Sequence, residues 1–458
     1  MSPSGPERTL ARFTADLAFD AVPQPVRARA RHHILDATGI AFAAGTQDFA
    51  HRTLTGLVGL SGSGRAKVFG QPWRLPVRDA AMANGFLCHG LDFDDTHLEG
   101  VVHPTAAIWP AALAAALHAG ADGRALLAGY VLGVEASVRL GASASGRFHA
   151  AGWHPTGVVN TFAAALACGR IMDLTEEQLI HAQGIALSMA GGSLEFLADG
   201  AWNKRLHPGW AAMAGLTAAS LAKTGFQGIS HPYDGRFGLY AMLLGEQADT
   251  ADPAGALADL GERWSLLDTA IKPYPACHFT HGCIEAGLRL AERFADHPDR
   301  IARITALVPQ EVVAVVCEPV AAKRRPQNGY DAQFSIPFLV AAAILRGRVG
   351  LQEIEPAALA DEAILQLADR IDYAIDPESG FPRHYSGELV VDLAGGGSLR
   401  ERVPINLGAA DRPLGEADIV TKFRGNMALA VGTERAERVM AALLALDRVG
   451  PDVLDALL

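Results

Sequence analysis

The strongest constraint on this chain is a series of long, alanine-rich apolar segments punctuated by proline and glycine. Val26–Gly45, Ala106–Gly120, Gly157–Met172, Glu176–Ala190 and Trp210–Lys223 follow this plan. In the first of them Val26, Ala30, Ile34, Ala37 and Ile40 recur at helical spacing, with Pro23 and Pro25 ahead and Gly45 behind. Small side chains let helix backbones approach closely, so this part of the chain is expected to form a compact bundle of buried helices. With 50% hydrophobic residues among 458, the chain has apolar surface enough for a large core.

The pattern changes after Trp264. Ile301–Val316 and Glu388–Leu393 are rich in valine and isoleucine, and Gly395–Gly397 separates the latter from a second extended stretch, Leu399–Val403. That arrangement predicts a hairpin. Phe334–Leu345 and Ala357–Ile371 read as helices, and the tail, Asp418–Leu446, returns to a helical pattern. The expected plan is mainly α. An all-helical domain of residues 1–265 and 405–458 flanks a smaller α+β domain, residues 266–404, inserted between its helical segments.

Charge and cysteine content narrow the function classes. The net charge is −11 and there is no long basic run, so no nucleic-acid partner is expected. An anionic substrate would have to be met by a few locally concentrated cations. The start of the chain has no basic flank followed by an apolar run, and the most apolar stretch, Ala106–Leu117, is short and interrupted by Pro110. A soluble, cytoplasmic protein with no membrane partner is the expectation. Cys88, Cys168, Cys277, Cys283 and Cys317 are odd in number and scattered, which suits a reducing compartment. An iron–sulfur cluster needs three or four thiolates, and this spacing does not supply them.

Titratable side chains collect in four stretches, each beside an apolar helix. The first is His89-Gly-Leu-Asp92-Phe-Asp94-Asp95-Thr96-His97, followed by His103-Pro104-Thr105. Carboxylates and imidazoles at this density are costly to bury unless they are paired or used. Taken alone, the loop fits helix capping, with Asp95 and Thr96 bonding backbone NH groups, as well as it fits a functional centre. The second stretch is Gly152-Trp153-His154-Pro155-Thr156-Gly157, where His154 is either a structural hydrogen-bonder or a base. In the third, Asn203-Lys204-Arg205-Leu206-His207-Pro208-Gly209-Trp210, two cations precede a His-Pro-Gly helix start, suited to an anion or to an exposed turn. The fourth, Ile271-Lys272-Pro273-Tyr274-Pro275-Ala276-Cys277-His278-Phe279-Thr280-His281, is stiffened by two prolines that could aim Lys272 and His278, or is a plain linker.

The ordered set DFDDTH…HPT, GWHPTG, NKRLHPGWAAMAG and IKPYPACHFTH, with QNGYDAQFSIPF at Gln327–Phe338, resembles the MmgE/PrpD family. That family includes 2-methylcitrate dehydratases, cis-aconitate decarboxylases and iminodisuccinate epimerases. The resemblance spans nearly the whole chain. It implies a large all-helical domain built from both chain ends, a smaller α+β domain and a homodimer. Carried over by position, it puts acidic-loop residues on Asp92 and Thr96, the catalytic histidine on His103 and a second active-site histidine on His154. Substrate-carboxylate lysines fall on Lys204 and Lys272, with His278 close by. A tyrosine described for the decarboxylase branch has no secure match; Tyr330 is near it in sequence.

The implied enzyme is a cofactor-free lyase working beside a carboxylate of a small di- or tricarboxylate. Lys204, Arg205 and Lys272 would hold carboxylates. His103 would transfer the proton, Asp92 would orient its imidazole, and His154 would share the acid–base work. Dehydration of a 2-methylcitrate-like substrate ranks first and decarboxylation second; an epimerase would use the same residues. A different class is a metal-dependent hydrolase with Asp92, Asp94, Asp95, His97 and His103 as ligands, which leaves the lysines without a role. A silent relative that only binds a metabolite is the third reading.

Overall fold

The structure is a computed structural model describing residues 5–198 and 200–458. The chain divides into two compact units, Met1–Thr269 with Gly415–Leu458, and Ala270–Leu414.

The first unit is helical. Its main elements are α1 (Gln24–Ala44), α2 (Val77–His89), α3 (Thr105–Ala119), α4 (Gly123–Ser143), α5 (Pro155–Ile171), α6 (Glu176–Leu187) and α7 (Asn203–Lys223). Their ends are set by local chemistry. Asp122 caps α4 by accepting from Ala125 N, Thr175 and Gln178 form a capping box on α6, and α3 stops at Gly120 with φ +68°. α5 packs against α3, α4 and α7, while the tail helix Glu416–Met427 lies on α1. Phe42, Phe86, Trp109, Tyr130 and Phe162 fill the interior. α4 is long and apolar enough to cross a bilayer, but 89% of its apolar window is buried inside the protein. It also carries the buried Arg139–Glu135 ion pair, so here it serves as a core helix.

α7 departs from expectation. It begins at Asn203 rather than near Trp210 and runs through Pro208. The proline lies in the second turn, where its missing N–H forfeits one intrahelical bond, and close packing holds the segment in place. A Cβ on Gly85 would fall 2.7 Å from Gly209 Cα, and one on Gly209 would fall 2.3 Å from the Met82 carbonyl oxygen. The backbones of α2 and α7 therefore touch at a point that only glycine allows. That crossing sets the first turn of α7, which bears Lys204, against the end of α2, which bears His89.

The second unit holds a four-stranded sheet ordered β2-β1-β3-β4, with β1 Ile301–Val308, β2 Ile371–Ile375, β3 Gly387–Leu393 and β4 Ser398–Val403. β1 and β2 are parallel, with Ile304 opposite Ile371, and β1 and β3 are antiparallel. β3 and β4 form the expected hairpin, with Gly396 and Gly397 at positive φ in its turn. The helix His281–Phe294 packs on β3 and β4 and against the helix Ile336–Arg346. Two expected elements are shorter than read. Ile301–Val316 is extended only to Val308, because Pro309 cannot donate to a ladder and the chain coils into Gln310–Val312 and Val313–Val316. Ala357–Ile371 breaks into Pro356–Leu359 and Glu362–Ala368, and Ile371 already opens β2. In the tail of the first unit, Asp418–Leu446 is split at Gly432 into Glu416–Met427 and Thr433–Leu444.

Candidate active site

Three histidines of the first unit each stand immediately before a proline at or near a helix start. His103 precedes Pro104 and α3, His154 caps α5 with Pro155 at its first position, and His207 precedes Pro208 in α7. Packing of these helices brings the imidazoles together. The His103 backbone is held to α5 at both polar groups: its N donates to Thr156 Oγ1 at 3.1 Å, and its carbonyl accepts from Asn160 Nδ2 at 2.9 Å. The His103 and His154 ring centroids are 6.2 Å apart. His154 Nδ1 and His207 Nδ1 are 2.9 Å apart, so one donates and the other accepts. A fourth ring joins from the last residue of α2: His89 lies 4.5 Å from His103 and 5.9 Å from His154 by centroids.

The three clustered aspartates take three different partners. Asp92, at φ +49°, accepts from Lys204 Nζ at 2.7 Å, with its other oxygen 3.8 Å from His103 Nε2. Both oxygens of Asp94 lie 2.9 Å from His89 Nδ1, and one is 3.3 Å from His103 Nδ1. Asp95 accepts from His33 Nδ1 at 2.7 Å, from Thr105 N at 3.1 Å and from the Thr105 hydroxyl. The expected orienting role of Asp92 toward His103 is therefore better filled by Asp94, while Asp92 is bound to Lys204. For Asp95 the capping reading applies, since it bonds the first N–H of α3. Thr96 does not cap: its buried Oγ1 makes no hydrogen bond.

Lys422, on the tail helix, fixes this loop from outside. Its Nζ donates to the Phe93 carbonyl at 2.8 Å, sits 3.7 Å from the Phe93 ring centroid and pairs with Asp36 at 2.7 Å. Phe93 lies between the two aspartates that serve the imidazoles, so the C-terminal segment helps to aim both.

The electrostatics follow from burial. Burial works to raise the Asp94 carboxyl, but His89 and His103 outweigh it and hold it well below the usual range. Burial, helped by His207 and Lys204, pushes His154 well below its ordinary value. Burial with His89 and Lys204 lowers His207 to about 4. Both shifts keep these imidazoles neutral near pH 7, which is compatible with their mutual hydrogen bond. Burial raises Asp95 to about 7 against the Thr105 hydrogen bonds, and raises Asp36 to about 6 against Lys422. The arrangement offers an ion pair, a carboxylate shared by two imidazoles, and a neutral imidazole pair. That is a set suited to moving protons beside a bound anion.

The five-ligand metal set expected from the loop does not assemble. Asp95 turns to His33 and Thr105, and His97 accepts from Gly100 N at 3.1 Å and lines a separate cavity of about 200 Å³ with Arg139, Arg263 and Ser265. Other groups do approach one another: ligand atoms of His89, Asp92, Asp94 and His103, and of His89, His103 and His154, lie within 4.8 Å. Arg205 places its guanidinium carbon 3.9 Å from the Phe49 ring centroid. Lys272 and His278 belong to the second unit. Lys272 is 1% exposed, and His278 Nε2 accepts from Asn406 Nδ2 at 2.7 Å. Tyr330 is buried there too, its ring 5.2 Å from Phe334. Sequence reasoning passed over His89 and His207 as site residues and took Asp94 only as a possible metal ligand. All three stand in the stretches singled out for chemistry, and proximity to His103 and Lys204 was the signal that could have selected them.

The chain matches the model of the MmgE/PrpD N-terminal domain over residues 8–251 and that of the MmgE/PrpD C-terminal domain over residues 274–448. It is 27% identical to the cis-aconitate decarboxylase-like protein oryM of Aspergillus oryzae, covering 96% of this chain and 94% of that one. A cis-aconitate decarboxylase of Aspergillus terreus is 24% identical, covering 97% and 94%. The cis-aconitate decarboxylase of Homo sapiens is 28% identical, covering 90% and 85%.

Proposed function

This chain belongs to the MmgE/PrpD family and is a lyase, and from that premise we propose that it decarboxylates a small tricarboxylate of the cis-aconitate type. The observation that carries the reading is the imidazole cluster itself. His103 lies beside two carboxylates, Asp94 at 3.3 Å and Asp92 at 3.8 Å, and faces the neutral His154–His207 pair. Carboxylates on both ring nitrogens of His103 favour the imidazolium form, which makes His103 the proton donor. The bond between the substrate carbon and its departing carboxylate breaks, CO₂ leaves, and the electron pair stays on the carbon. The His103 proton then closes that carbon, and solvent restores the proton. Lys204 supplies positive charge near the anionic substrate. The curated relatives named above, all called cis-aconitate decarboxylases or like them, support this choice over the dehydration that the sequence motifs ranked first.

Dehydration of a 2-methylcitrate-like substrate is the second reading. It is favoured by the 6.2 Å separation of two differently supported rings, His103 and His154, which would serve as acid and base. Incubation with cis-aconitate, 2-methylcitrate and citrate, followed by mass spectrometry, separates the readings. Loss of CO₂ from cis-aconitate, abolished by His103→Ala in a protein that still melts cooperatively, is the expected result. Loss of water alone would install the second reading, and no turnover of any of them would remove both.

The quaternary state belongs to the same proposal. Leu197, Trp202, Trp210, Phe226, Ile229 and Phe237 are large apolar side chains exposed within one stretch of the chain. Such exposure favours a homodimer, and the five free cysteines suit the cytoplasmic setting proposed with it. Light scattering that returned a monomer mass would contradict it.

A further inference from the structure

The same cluster has a property that proton chemistry does not need. We propose that His89, His103 and His154 form a three-nitrogen capture site for a borderline divalent ion such as Zn²⁺, and that occupancy of this site shuts the enzyme off.

The geometry is that of a ligand set. Each of the three rings offers a nitrogen within 4.8 Å of the other two, and all three residues are buried. Their centroids are 4.5, 5.9 and 6.2 Å apart. Three imidazoles bound tetrahedrally at the usual zinc–nitrogen distance hold their centroids roughly 5 Å apart, so side-chain movements on the order of 1 Å close the set.

Two of the rings are also anchored from behind, as metal-binding histidines are. His89 Nδ1 donates to both oxygens of Asp94 at 2.9 Å, which makes Nε2 the lone-pair nitrogen. That Nε2 is buried and meets no hydrogen-bond partner. When His154 Nδ1 donates to His207 Nδ1, 2.9 Å away, its Nε2 carries the lone pair for a ligand. Once His103 has given up its proton, Asp92 and Asp94 set against Lys204 leave one net negative charge beside the cluster, so a cation competes with that proton for His103. Three protein ligands leave a fourth position for water or a carboxylate. An ion here would occupy the lone pairs through which His103 and His154 exchange protons. This set differs from a hydrolase centre built on the acidic loop, since Asp95 and His97 take no part.

The test begins with chelator-treated full-length protein titrated with Co²⁺. One equivalent should bind with the intense visible absorption of four-coordinate cobalt, and Zn²⁺ should displace it. Asp94→Asn, which removes the outer anchor of His89, should weaken binding roughly 10–100-fold. His89→Gln should abolish the band while melting cooperatively; if that variant does not fold, His154→Gln is read the same way. No visible band, or a band that survives loss of either histidine, overturns the site. Zn²⁺ should inhibit turnover reversibly, with activity restored by chelator, and full activity at saturating Zn²⁺ overturns the shut-off. Binding is read without substrate, so its failure is distinct from failure of the decarboxylase reading, on which only the shut-off rests.

Discussion

Replacing Lys204 with methionine tests the electrostatic logic of the site without any substrate. The change keeps most of the side-chain stem and removes the ammonium 2.7 Å from Asp92 Oδ2, in a pair whose side chains are 9% and 2% exposed. Unit charges at that distance attract by about 6 kcal/mol at an effective dielectric of ~20, most of which is offset by the cost of desolvating both. Removing one partner exposes that cost, because the carboxylate stays buried and loses the ammonium that neutralises it. The expected loss is about 3–5 kcal/mol at pH 8. It should shrink at pH 5.5, where the carboxyl can take a proton instead. Lys204→Met/Asp92→Asn removes both charges and should recover most of the stability, giving a coupling of several kcal/mol. All six tryptophans, from Trp73 to Trp264, lie in the first unit, so their fluorescence during urea unfolding reports that unit alone. If Lys204→Met lies within about 1 kcal/mol of the parent at both pH values, or if Asp92→Asn fails to restore it, the pair is not the buried ion pair described here.

Other consequences are as concrete. Asp94→Asn weakens charge-assisted contacts to His89 and His103; about 3 kcal/mol lost in the transition state lowers kcat roughly 10²-fold with little change in KM, measured by steady-state kinetics. Asp95 is raised from 3.8 to about 7 by burial, so the folded state keeps a proton that the unfolded chain releases. Its contribution is therefore present below about pH 4 and is lost as pH rises toward 7, and Asp95→Asn should flatten that part of the profile of Tm against pH. Lys272→Ala, at the position that the family resemblance assigns to a substrate carboxylate, should raise KM more than it lowers kcat; unchanged substrate binding would remove that assignment. Dialysis against chelator should leave turnover intact, and loss of activity restored by a metal would favour the hydrolase alternative instead.

Much of the fold was legible because it rests on local rules. Alanine-rich segments between prolines and glycines became α1, α3, α5 and α6 within three residues of their expected ends, and the glycine turn after β3 marked the hairpin. Misreadings arose where tertiary contact overrode a local signal. α7 continues through Pro208 because its glycine crossing with α2 demands a helix there, and Ile301–Val316 carries a β-like composition past the proline that ends the strand.

The candidate site divides in the same way. The motifs by themselves marked the candidate stretches and singled out His103, His154 and Lys204, because histidine or lysine close to proline at a helix mouth is a local pattern. Only the tertiary structure decided who pairs with whom. Asp92, Asp94 and Asp95 are near neighbours in one loop, yet they go to Lys204, to His89 with His103, and to His33 with Thr105. His207 meets His154 across 53 positions of sequence. The physical reason is that a left-handed residue at Asp92 turns successive carboxylates in different directions, and their partners are set by how closely distant helices can approach. Spacing along the chain records neither quantity.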